Sequence, residues 1–298
     1  MQPDFLHFLS HLCILVDMDI QWYPGHMTKA RRQMQQKLKM IDMVIETLDA
    51  RAPKSSLNPD FDDRFASKMR MYVLNKADLA DQNITKQWVA YFKQQEIPCI
   101  SFSAANDKPA VLQKQIVDAA NGFLQRYRDK GVKKTLRAMI VGIPNVGKSA
   151  ILNRLLGTKK MKEGNKPGVT KALQWAKIDD YLEIMDSPGM LWPKFDDEQT
   201  GAVVALIGSV KLDVLNEEEL AFYLIKLLAR SHPEMLIERY KLDEVGEDAY
   251  QMLCDISRKR GFFLKGGEYD TERAAKTVLD EFKNGKLGRI SLEVPDGR

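Results

Sequence analysis

The residues with the clearest chemical meaning lie in the middle of the chain, at Gly142 to Ser149 (GIPNVGKS). Their spacing matches G-x-x-x-x-G-K-S, in which glycines let successive backbone N–H groups turn inward around phosphate oxygens. Lys148 is predicted to contact the β- and γ-phosphates, and Ser149 to hold Mg²⁺. The candidate phosphate-binding residues are Asn145, Val146, Gly147, Lys148, Ser149 and Ala150.

The flanking segments favour this interpretation over a chance glycine turn. The apolar run Leu136 to Val141 predicts a buried strand that leads into the loop. The AILNRLLG segment that follows predicts a helix, whose N-terminus favours an anion. Strand, loop and helix therefore occur in the order that phosphate binding requires.

A candidate base reader, Asn75-Lys76-Ala77-Asp78, follows the predicted strand Met71 to Leu74. The Asp78 carboxylate can accept two hydrogen bonds, from guanine N1–H and the 2-amino group. Adenine lacks this donor pair and would leave the charge unpaired, so the site rejects it. Asn75 is predicted to brace the loop, and the Lys76 stem to cover the base. Taken alone, the tetrapeptide could equally be a surface turn.

Ser103-Ala104 strengthens the guanine interpretation. It follows a predicted short strand, Pro98 to Phe102, and a predicted helix, Thr85 to Gln95, separates that strand from the tetrapeptide. Small residues at this point let a backbone N–H approach guanine O6. A second base-binding element is therefore expected at Ser103 and Ala104.

Two further segments match the switch regions of a nucleoside triphosphatase. Lys166 to Thr170 (KPGVT) predicts the first switch, in which the Thr170 hydroxyl ligates Mg²⁺. Asp186-Ser-Pro-Gly189 follows a predicted strand, Tyr181 to Met185. In D-x-x-G the acid, here Asp186, acts from the second shell of Mg²⁺, and the Gly189 N–H contacts the γ-phosphate.

The order of these motifs differs from that of an ordinary GTPase, because the guanine tetrapeptide and Ser-Ala precede the phosphate loop. The sequence therefore predicts an α/β fold, a circularly permuted P-loop GTPase with a C-terminal all-helical domain. The cut falls after D-x-x-G, so the segment after Gly189 leads directly into that domain. A covalent lever could carry the nucleotide state to it.

The chain resembles the permuted bacterial GTPases of the YlqF type, ribosome biogenesis GTPase A. Besides the five motifs, Gln21 to Met27 (QWYPGHM), Asp49 to Pro53 (DARAP) and Gly285 to Pro295 look like that family. The resemblance covers about Met18 to Pro295. It implies GTP and GDP as ligands, and a role in late assembly of the large ribosomal subunit, with hydrolysis stimulated by that particle.

The resemblance also bears on catalysis. Ras-like proteins carry a glutamine after D-x-x-G that orients the attacking water, but this chain has Met190. The resemblance implies that His26 places the water, alongside Lys148, Thr170 and Gly189 as the other catalytic residues. The alternative is that His26 caps or packs against its helix. Asn145 matches an asparagine that helps related GTPases hold K⁺.

Three regions are expected along the chain. Residues 1–17 are either a short amphipathic extension or an upstream start assigned in error, and they are a poor match to a signal peptide. Residues 18–195 are predicted to form the GTPase domain. Residues 196–298 are predicted to form a helical domain that contacts RNA or the ribosome. Its helices are expected after Asn216 as N-cap, over Glu247 to Arg260 and over Thr271 to Lys283, with Leu220, Leu224, Leu227 and Leu228 as a core stripe.

The composition excludes disorder and a membrane-spanning protein. Hydrophobic residues make up 44% and charged residues 29%, and no apolar run is long enough to cross a bilayer. The three cysteines form no metal-binding or disulfide framework, which indicates a reducing compartment. We expect a cytoplasmic protein that is monomeric off the ribosome.

The net charge of +4 is too small to indicate a polyanionic partner by itself. Basic residues nevertheless cluster at Arg126 to Arg137, Lys159 to Lys171 and Arg258 to Arg260, and the segment Lys29 to Lys39 is also basic. Contact with the phosphate backbone of rRNA in a large-subunit precursor, together with its proteins, is therefore expected. The alternatives are a GTP-dependent RNA-binding module with little intrinsic catalysis, and an RNA-binding protein stabilised by GTP.

The variant Asp78→Asn tests the base reader. Xanthine carries a 2-oxo group where guanine has the amino group, so an amide at position 78 should pair with xanthine instead. We expect the preference to shift from GTP to xanthosine triphosphate, measured by competition binding. If GTP still binds clearly better, Asp78 does not read the base.

Overall fold

The strands of this computed structural model form one six-stranded sheet in the order β3-β2-β1-β4-β6-β5. The described residues are 25–157, 173–192, 195, 197–210 and 216–295, with side chains from Arg31 onward. The strands are β1 Met43–Asp49, β2 Met69–Asn75, β3 Cys99–Ser101, β4 Leu136–Val141, β5 Gln174–Lys177 and β6 Leu182–Asp186. All neighbours pair in parallel except β5, which runs antiparallel to β6.

Helices surround this sheet and continue beyond it. The helices are α1 Gly25–Lys37, α2 Pro53–Ser56, α3 Asp60–Phe65, α4 Gln82–Gln94, α5 Pro109–Ala119, α6 Asn121–Arg128, α7 Lys148–Leu156, α8 Glu198–Leu206, α9 Glu217–Ser231, α10 Pro233–Tyr240, α11 Ala249–Arg260 and α12 Thr271–Lys283. One 3₁₀ turn, Leu38–Met40, joins α1 to the chain that enters β1.

The sheet is buried on both faces, as its parallel strands require. Residues of α5 and α7, such as Ile116 and Ile151, pack with the strands in one core cluster. Met34 of α1 and Phe61 of α3 pack in a second cluster with β1, β4 and β6. A third cluster joins α4 to β2. All seven residues of β1 are buried, because this strand lies between β2 and β4 at the centre of the sheet.

β1 lies at the centre of the sheet, so the segment before the guanine tetrapeptide supplies one of its inner strands. The predicted strands lie within two residues of those observed. β5 was not predicted, because four residues are too few for a periodic pattern. Sequence patterns also missed the helices α2, α3, α5, α6, α8 and α10.

The segment after Phe195 contains helices and one isolated β-bridge among its described residues. The side chain of Asn216 accepts hydrogen bonds from the N–H groups of Glu218 and Glu219, which confirms the predicted N-cap. The leucine stripe of α9 is buried as predicted. α12 has the predicted bounds, and α11 begins two residues later than predicted.

The apolar core of the C-terminal helices also includes residues of the phosphate loop. Ile143 and Val146 of the phosphate loop are fully buried in the same cluster as residues of α8, α9, α11 and α12. The loop that should hold the nucleotide is thus packed against the C-terminal helices. The sheet and the helical region consequently share an apolar contact directly under the nucleotide site.

The tail after α12 returns to the sheet region. The Leu292 N–H donates to the Arg51 carbonyl at 2.7 Å, and the Ile290 N–H to the Leu79 carbonyl at 3.0 Å. The Trp88 ring N–H donates to the Glu293 carbonyl at 3.2 Å. The chain end is therefore attached beside the base-reading motif.

Among the described helices, none combines the length and the apolar character needed to cross a membrane. Cys99 and Cys254 are free and buried, and Cys13 lies outside the described residues.

The buried carboxyl group of Glu46 should make the stability of the protein depend on pH. It is buried in β1, where its carboxylate pairs with Arg70 at 3.0 Å and accepts from the Asn58 N–H at 3.3 Å. Burial outweighs Arg70 and raises the pKa of Glu46 from 4.5 to about 7. Between these values the folded protein keeps a proton that the unfolded chain has lost, so stability falls as pH rises and levels off above pH 7.

In the wild type, the Glu46 proton should change the free energy of unfolding by roughly 3 kcal/mol between the unfolded and folded pKa values of this carboxyl. For Glu46→Gln we expect this pH dependence to disappear. Chemical unfolding at several pH values measures it. Glu183→Gln, which removes a more exposed partner of Arg137, serves as control. Equal slopes in the wild type and Glu46→Gln would contradict the assignment.

Candidate functional site

The predicted site residues converge because parallel strands bring their carboxyl ends to one edge of a sheet. Asp49 at the end of β1 pairs in register with Asn75 at the end of β2. Asp186 at the end of β6 pairs with Ile140, one residue before β4 ends. The loop 142–149 follows β4 directly. The base-reading motif, the phosphate loop and the second switch motif, which begins at Asp186, thus lie at the same edge.

The glycines of the phosphate loop are required by close contacts. A Cβ on Gly147 would lie 2.2 Å from the Asn75 Nδ2 atom, and the residue has a φ of +95°. A Cβ on Gly142 would lie 2.5 Å from the Thr47 carbonyl oxygen. Real Cβ atoms do not approach so closely, so only glycine fits at either position.

Lys148 lies buried inside the loop. Its Nζ donates to the carbonyl oxygens of Gly142 at 3.1 Å and Ile143 at 2.7 Å. Burial lowers the pKa of Lys148 to about 8, and the nearby Asp186 carboxylate opposes that shift. Burial therefore makes the charged form of Lys148 less favourable than in water, and the charge of a bound phosphate would stabilise it.

Asn75 joins three of the predicted motifs. Its Nδ2 donates to the Val146 carbonyl at 2.8 Å, and its Oδ1 accepts from the Ala104 N–H at 3.1 Å. The Ala77 N–H donates to the Phe102 carbonyl at 3.2 Å, which ties the tetrapeptide to the Ser-Ala segment. One buried amide thus holds the phosphate loop and both base-binding loops together. Because the Ala104 N–H is engaged by Asn75, its approach to guanine stays a prediction.

Two of the predicted Mg²⁺ residues, Ser149 and Asp186, meet beneath the loop. The Ser149 hydroxyl donates to the Asp186 Oδ2 atom at 3.0 Å, and Asp186 is 1% exposed. A hydroxyl ligand beside a buried carboxylate is a donor set that suits Mg²⁺, which prefers oxygen and keeps several waters. Among the described residues, no group of three or more His, Cys, Asp or Glu side chains could hold a metal without the nucleotide.

The second switch packs on the phosphate loop through backbone atoms. A Cβ on Gly189 would lie 2.6 Å from the Pro144 Cα atom. The Met190 N–H donates to the Gly142 carbonyl at 3.2 Å, and the Asn58 side chain donates to the Met190 carbonyl at 3.0 Å. The Met190 side chain is buried in the apolar cluster of α1 and α3. It cannot orient water.

The phosphate loop also contacts the end of α8, which sequence reasoning missed. The Asn145 Nδ2 donates to the Gly208 carbonyl at 2.6 Å, and the Ser209 hydroxyl donates to the Pro144 carbonyl at 2.6 Å. Asn145 has a φ of +60°, a conformation that asparagine tolerates better than most residues. Gly-Ser in a loop carries no sequence signal, so only the fold reveals this contact.

A buried ionic cluster lies beside the base reader. Both Asp49 carboxylate oxygens accept from the Arg51 guanidinium at 2.9 Å, and Oδ2 also accepts from the Lys76 Nζ at 2.8 Å. Asp49 and Arg51 are 0% and 1% exposed. Burial alone would raise the pKa of Asp49, but its two cationic partners hold it well below its usual range. In the sequence, Asp49 and Arg51 were noted only because the DARAP segment resembles the YlqF-type family.

Two predicted catalytic residues cannot be placed. The backbone of His26 lies in α1, but its side chain is outside the described residues, as are Thr170 and the whole segment 158–172. Asp78 and Ser103 lie at the same sheet edge, on the loops after β2 and β3.

The basic clusters are partly neutralised by acids. Lys134 pairs with Asp42 at 3.0 Å and Arg137 with Glu183 at 3.2 Å. In the cluster 258–260, each residue pairs with an acid: Arg258 with Asp255, Lys259 with Asp243 and Arg260 with Glu281. The cluster 159–171 lies outside the described residues.

Comparison with known proteins identifies the family. Residues 137–253 match the sequence model of a family described as 50S ribosome-binding GTPase. The chain is 45% identical to Ribosome biogenesis GTPase A of Priestia megaterium over 284 residues, covering 93% of this chain and 98% of the relative. The chain belongs to the ribosome biogenesis GTPase A family. The Thermotoga maritima member is 33% identical and covers 93% of the chain.

Solved structures agree with this family. YlqF from T. maritima in its GNP-bound form superposes with a TM-score of 0.65 at 30% identity, covering 91% of this chain and 100% of that one. Its GDP-bound form gives a TM-score of 0.66. The ribosome biogenesis GTPase A fold, a circularly permuted P-loop GTPase followed by helices, is thus confirmed. The chain is a GTPase that binds guanine nucleotides.

Gly189→Ala tests the contact between the second switch and the phosphate loop. The new Cβ would displace position 189 from Pro144, and the N–H predicted to contact the γ-phosphate would move with it. We expect the affinity for a GTP analogue to fall at least about tenfold, the effect of losing one hydrogen bond to a charged group, and GDP affinity to change less.

Calorimetry with both nucleotides measures the two affinities. Gly122→Ala in α6 is the matched control, since nothing lies within 4 Å of its Cβ position. Equal losses for the two nucleotides would show that Gly189 serves only the packing of the loop.

Proposed function

We propose that this family member is a GTP-hydrolysing assembly factor for the large (50S) ribosomal subunit. It binds the precursor particle in the GTP state and leaves after hydrolysis. The observation that carries the proposal is the shared core under the phosphate loop, where Ile143 and Val146 pack with the C-terminal helices. The names of the relatives, ribosome biogenesis GTPase A, support the choice of particle.

The proposed nucleotide site uses the residues that converge at the sheet edge. The base is read by Asp78, with Asn75, Lys76 and Ala77 shaping its loop and Ser103 and Ala104 closing the other side. The phosphates lie in the loop from Asn145 to Ala150, against the Lys148 amine. This assignment is supported by the hydrogen bonds of Asn75, which hold the base and phosphate loops in a fixed relation.

Mg²⁺ would be held by the hydroxyl groups of Ser149 and Thr170 together with the bound nucleotide, and Asp186 would act on it through Ser149. The 3.0 Å contact of Ser149 with Asp186 fits this arrangement. When bound, the ion neutralises charge that develops on the phosphates. A K⁺ ion would be held by the side chain of Asn145, whose amide nitrogen donates to the Gly208 carbonyl.

Hydrolysis requires a group that places the attacking water. Met190 is 4% exposed and lies in an apolar cluster, which supports a different residue in that role. We assign it to His26, which lies in α1, the helix whose Met34 packs in the same cluster as Met190. Gly189 would contact the γ-phosphate.

The nucleotide state is proposed to reach the helices along two routes. The chain after Gly189 continues into Leu191 and Trp192, which are buried in the helical core. The phosphate loop itself bonds to the end of α8 through Asn145 and Ser209. A shift of Gly189 on loss of the γ-phosphate would therefore move residues that already pack with the helices.

The remaining assignments follow from this role. Residues 18–195 are proposed as the GTPase domain and 196–298 as the helical domain that contacts rRNA and ribosomal proteins. We place the protein in the cytoplasm, as a monomer off the ribosome. Arg126, Arg128 and Lys130, in and after α6, are candidate contacts to the RNA backbone.

A second candidate function is a GTP-dependent RNA-binding module with little intrinsic catalysis. The burial of Met190 favours it, because the usual water-orienting side chain is missing from the second switch. The two functions differ in one measurable property, namely hydrolysis in the presence of the particle.

Co-sedimentation with purified large ribosomal subunits tests the partner. We expect binding with a non-hydrolysable GTP analogue and release with GDP, while small subunits serve as control. Equal binding in both nucleotide states, or none, would remove the link to subunit assembly and leave the GTPase fold standing.

Phosphate release with and without large subunits, for the wild type and His26→Ala, tests catalysis in the same preparation. We expect stimulated hydrolysis in the wild type and at least about a hundredfold loss in the variant, as for removal of a general base, with GTP affinity nearly unchanged. An unchanged stimulated rate in His26→Ala would remove its role, and no stimulation in the wild type would favour the RNA-binding module.

A further inference from the structure

The ionic cluster beside the base reader connects two parts of the chain that are far apart in sequence. The Nε and Nη2 edge of the Arg51 guanidinium bonds to Asp49. Its Nη1 donates to the Phe282 carbonyl at 3.2 Å and the Lys283 carbonyl at 3.4 Å. These carbonyls end helix α12, where the helix dipole favours a cation. The guanidinium also lies over the Phe282 ring, 5.0 Å from its centre.

The other end of the cluster is the base-reading tetrapeptide. Lys76 has a φ of +59°, a left-handed conformation that costs a non-glycine residue free energy unless its surroundings hold it. Its ammonium bonds to Asp49 at 2.8 Å, so Asp49 fixes this side chain in place. Lys76 precedes Asp78 by two residues, so its backbone angles decide where the Asp78 carboxylate lies.

We propose that Asp49 and Arg51 are positioning residues for guanine recognition, and that they make this recognition depend on the docking of α12. Arg51 orients Asp49, Asp49 holds Lys76, and Lys76 sets the path of the chain to Asp78. Docked α12 supplies the two carbonyls that complete the coordination of Arg51. The proposal rests on Asp78 as the base reader in the function proposed above.

Burial makes this linkage strong. Asp49 and Arg51 are almost completely inaccessible, so neither can exchange its partners for water when the geometry changes. If α12 moves, the NH1 group of Arg51 loses both of its carbonyl partners and the guanidinium must shift on Asp49. The tail reinforces the arrangement, since the Leu292 N–H donates to the carbonyl of Arg51 itself.

Coupling between two sites is reciprocal. If docked α12 favours guanine binding, then bound guanine nucleotide must favour docked α12. A partner that pulls on the C-terminal helices would accordingly weaken nucleotide binding from the base side, independently of the γ-phosphate and the switches.

Arg51→Lys tests the linkage with the intact chain. Lysine keeps the charge next to Asp49 but lacks the planar fork that reaches two partners at once. The probes are GDP and inosine diphosphate, which lacks the 2-amino group that Asp78 is proposed to bind. We expect the ratio of the two affinities to fall about tenfold, within the usual range for coupling between sites.

Ser291→Ala is the matched control. It removes another contact between the tail and the sheet region, the bond from the Asp81 N–H at 3.2 Å, without touching the ionic cluster. The ratio of its affinities for GDP and inosine diphosphate should equal that of the wild type. An unchanged ratio in Arg51→Lys, with both affinities lowered equally or not at all, would show that Arg51 has only a structural role and would overturn the proposal.

Asp78→Asn separates this proposal from the assignment on which it rests. If Asp78→Asn abolishes the preference for GDP and Arg51→Lys retains it, only the coupling is wrong. If Asp78→Asn leaves the ratio unchanged, the base reader itself is wrong and the coupling falls with it.

Hydrogen exchange on the wild-type protein gives a second test that needs no variant to fold. GDP should slow exchange at residues 284–292, including the N–H groups of Ile290 and Leu292 that bond to the sheet region. Protection of the phosphate loop without any change at 284–292 would contradict the reciprocal linkage.

Discussion

The structure depends on how tightly the phosphate loop is packed. Glycine at 142 and 147 lets the loop lie against Thr47 and Asn75, at distances that leave no room for a Cβ atom. On its other side, Ile143 and Val146 belong to the apolar core of the C-terminal helices. The loop is therefore the common boundary of the sheet and the helices, and a shift of either would disturb the loop.

Because of the circular permutation, this packing connects the second switch directly to the helical region. In the order of this chain, the second switch is followed directly by the helical region, and the residues between them, Leu191 and Trp192, are already buried in its core. The base-binding side has a separate attachment through Arg51 and the tail. The helices thus contact the proposed nucleotide site on both the phosphate side and the base side, which suits the proposed transfer of the nucleotide state to a large partner.

Buried charge behaves differently at two positions in β1. In its middle, burial outweighs Arg70 and raises the pKa of Glu46 to about 7, so this carboxyl is nearly balanced between its two states at neutral pH. At its carboxyl end, Arg51 and Lys76 together outweigh the same burial and keep Asp49 ionised. The number of cationic partners, one against two, accounts for the opposite directions.

The sequence by itself determined the chemistry and the local structure. Motif residues such as Asn75, Lys148 and Asp186 were recognisable because each follows an apolar strand, and both signals depend only on neighbours along the chain. The cap at Asn216 and the bounds of α12 are local in the same way. Tertiary structure alone decided that Ile143 and Val146 enter the helical core, that Gly208 and Ser209 contact the phosphate loop, and that Arg51 reaches Phe282, 231 residues away. Such contacts join groups without periodic spacing, so they arise only when the whole chain packs.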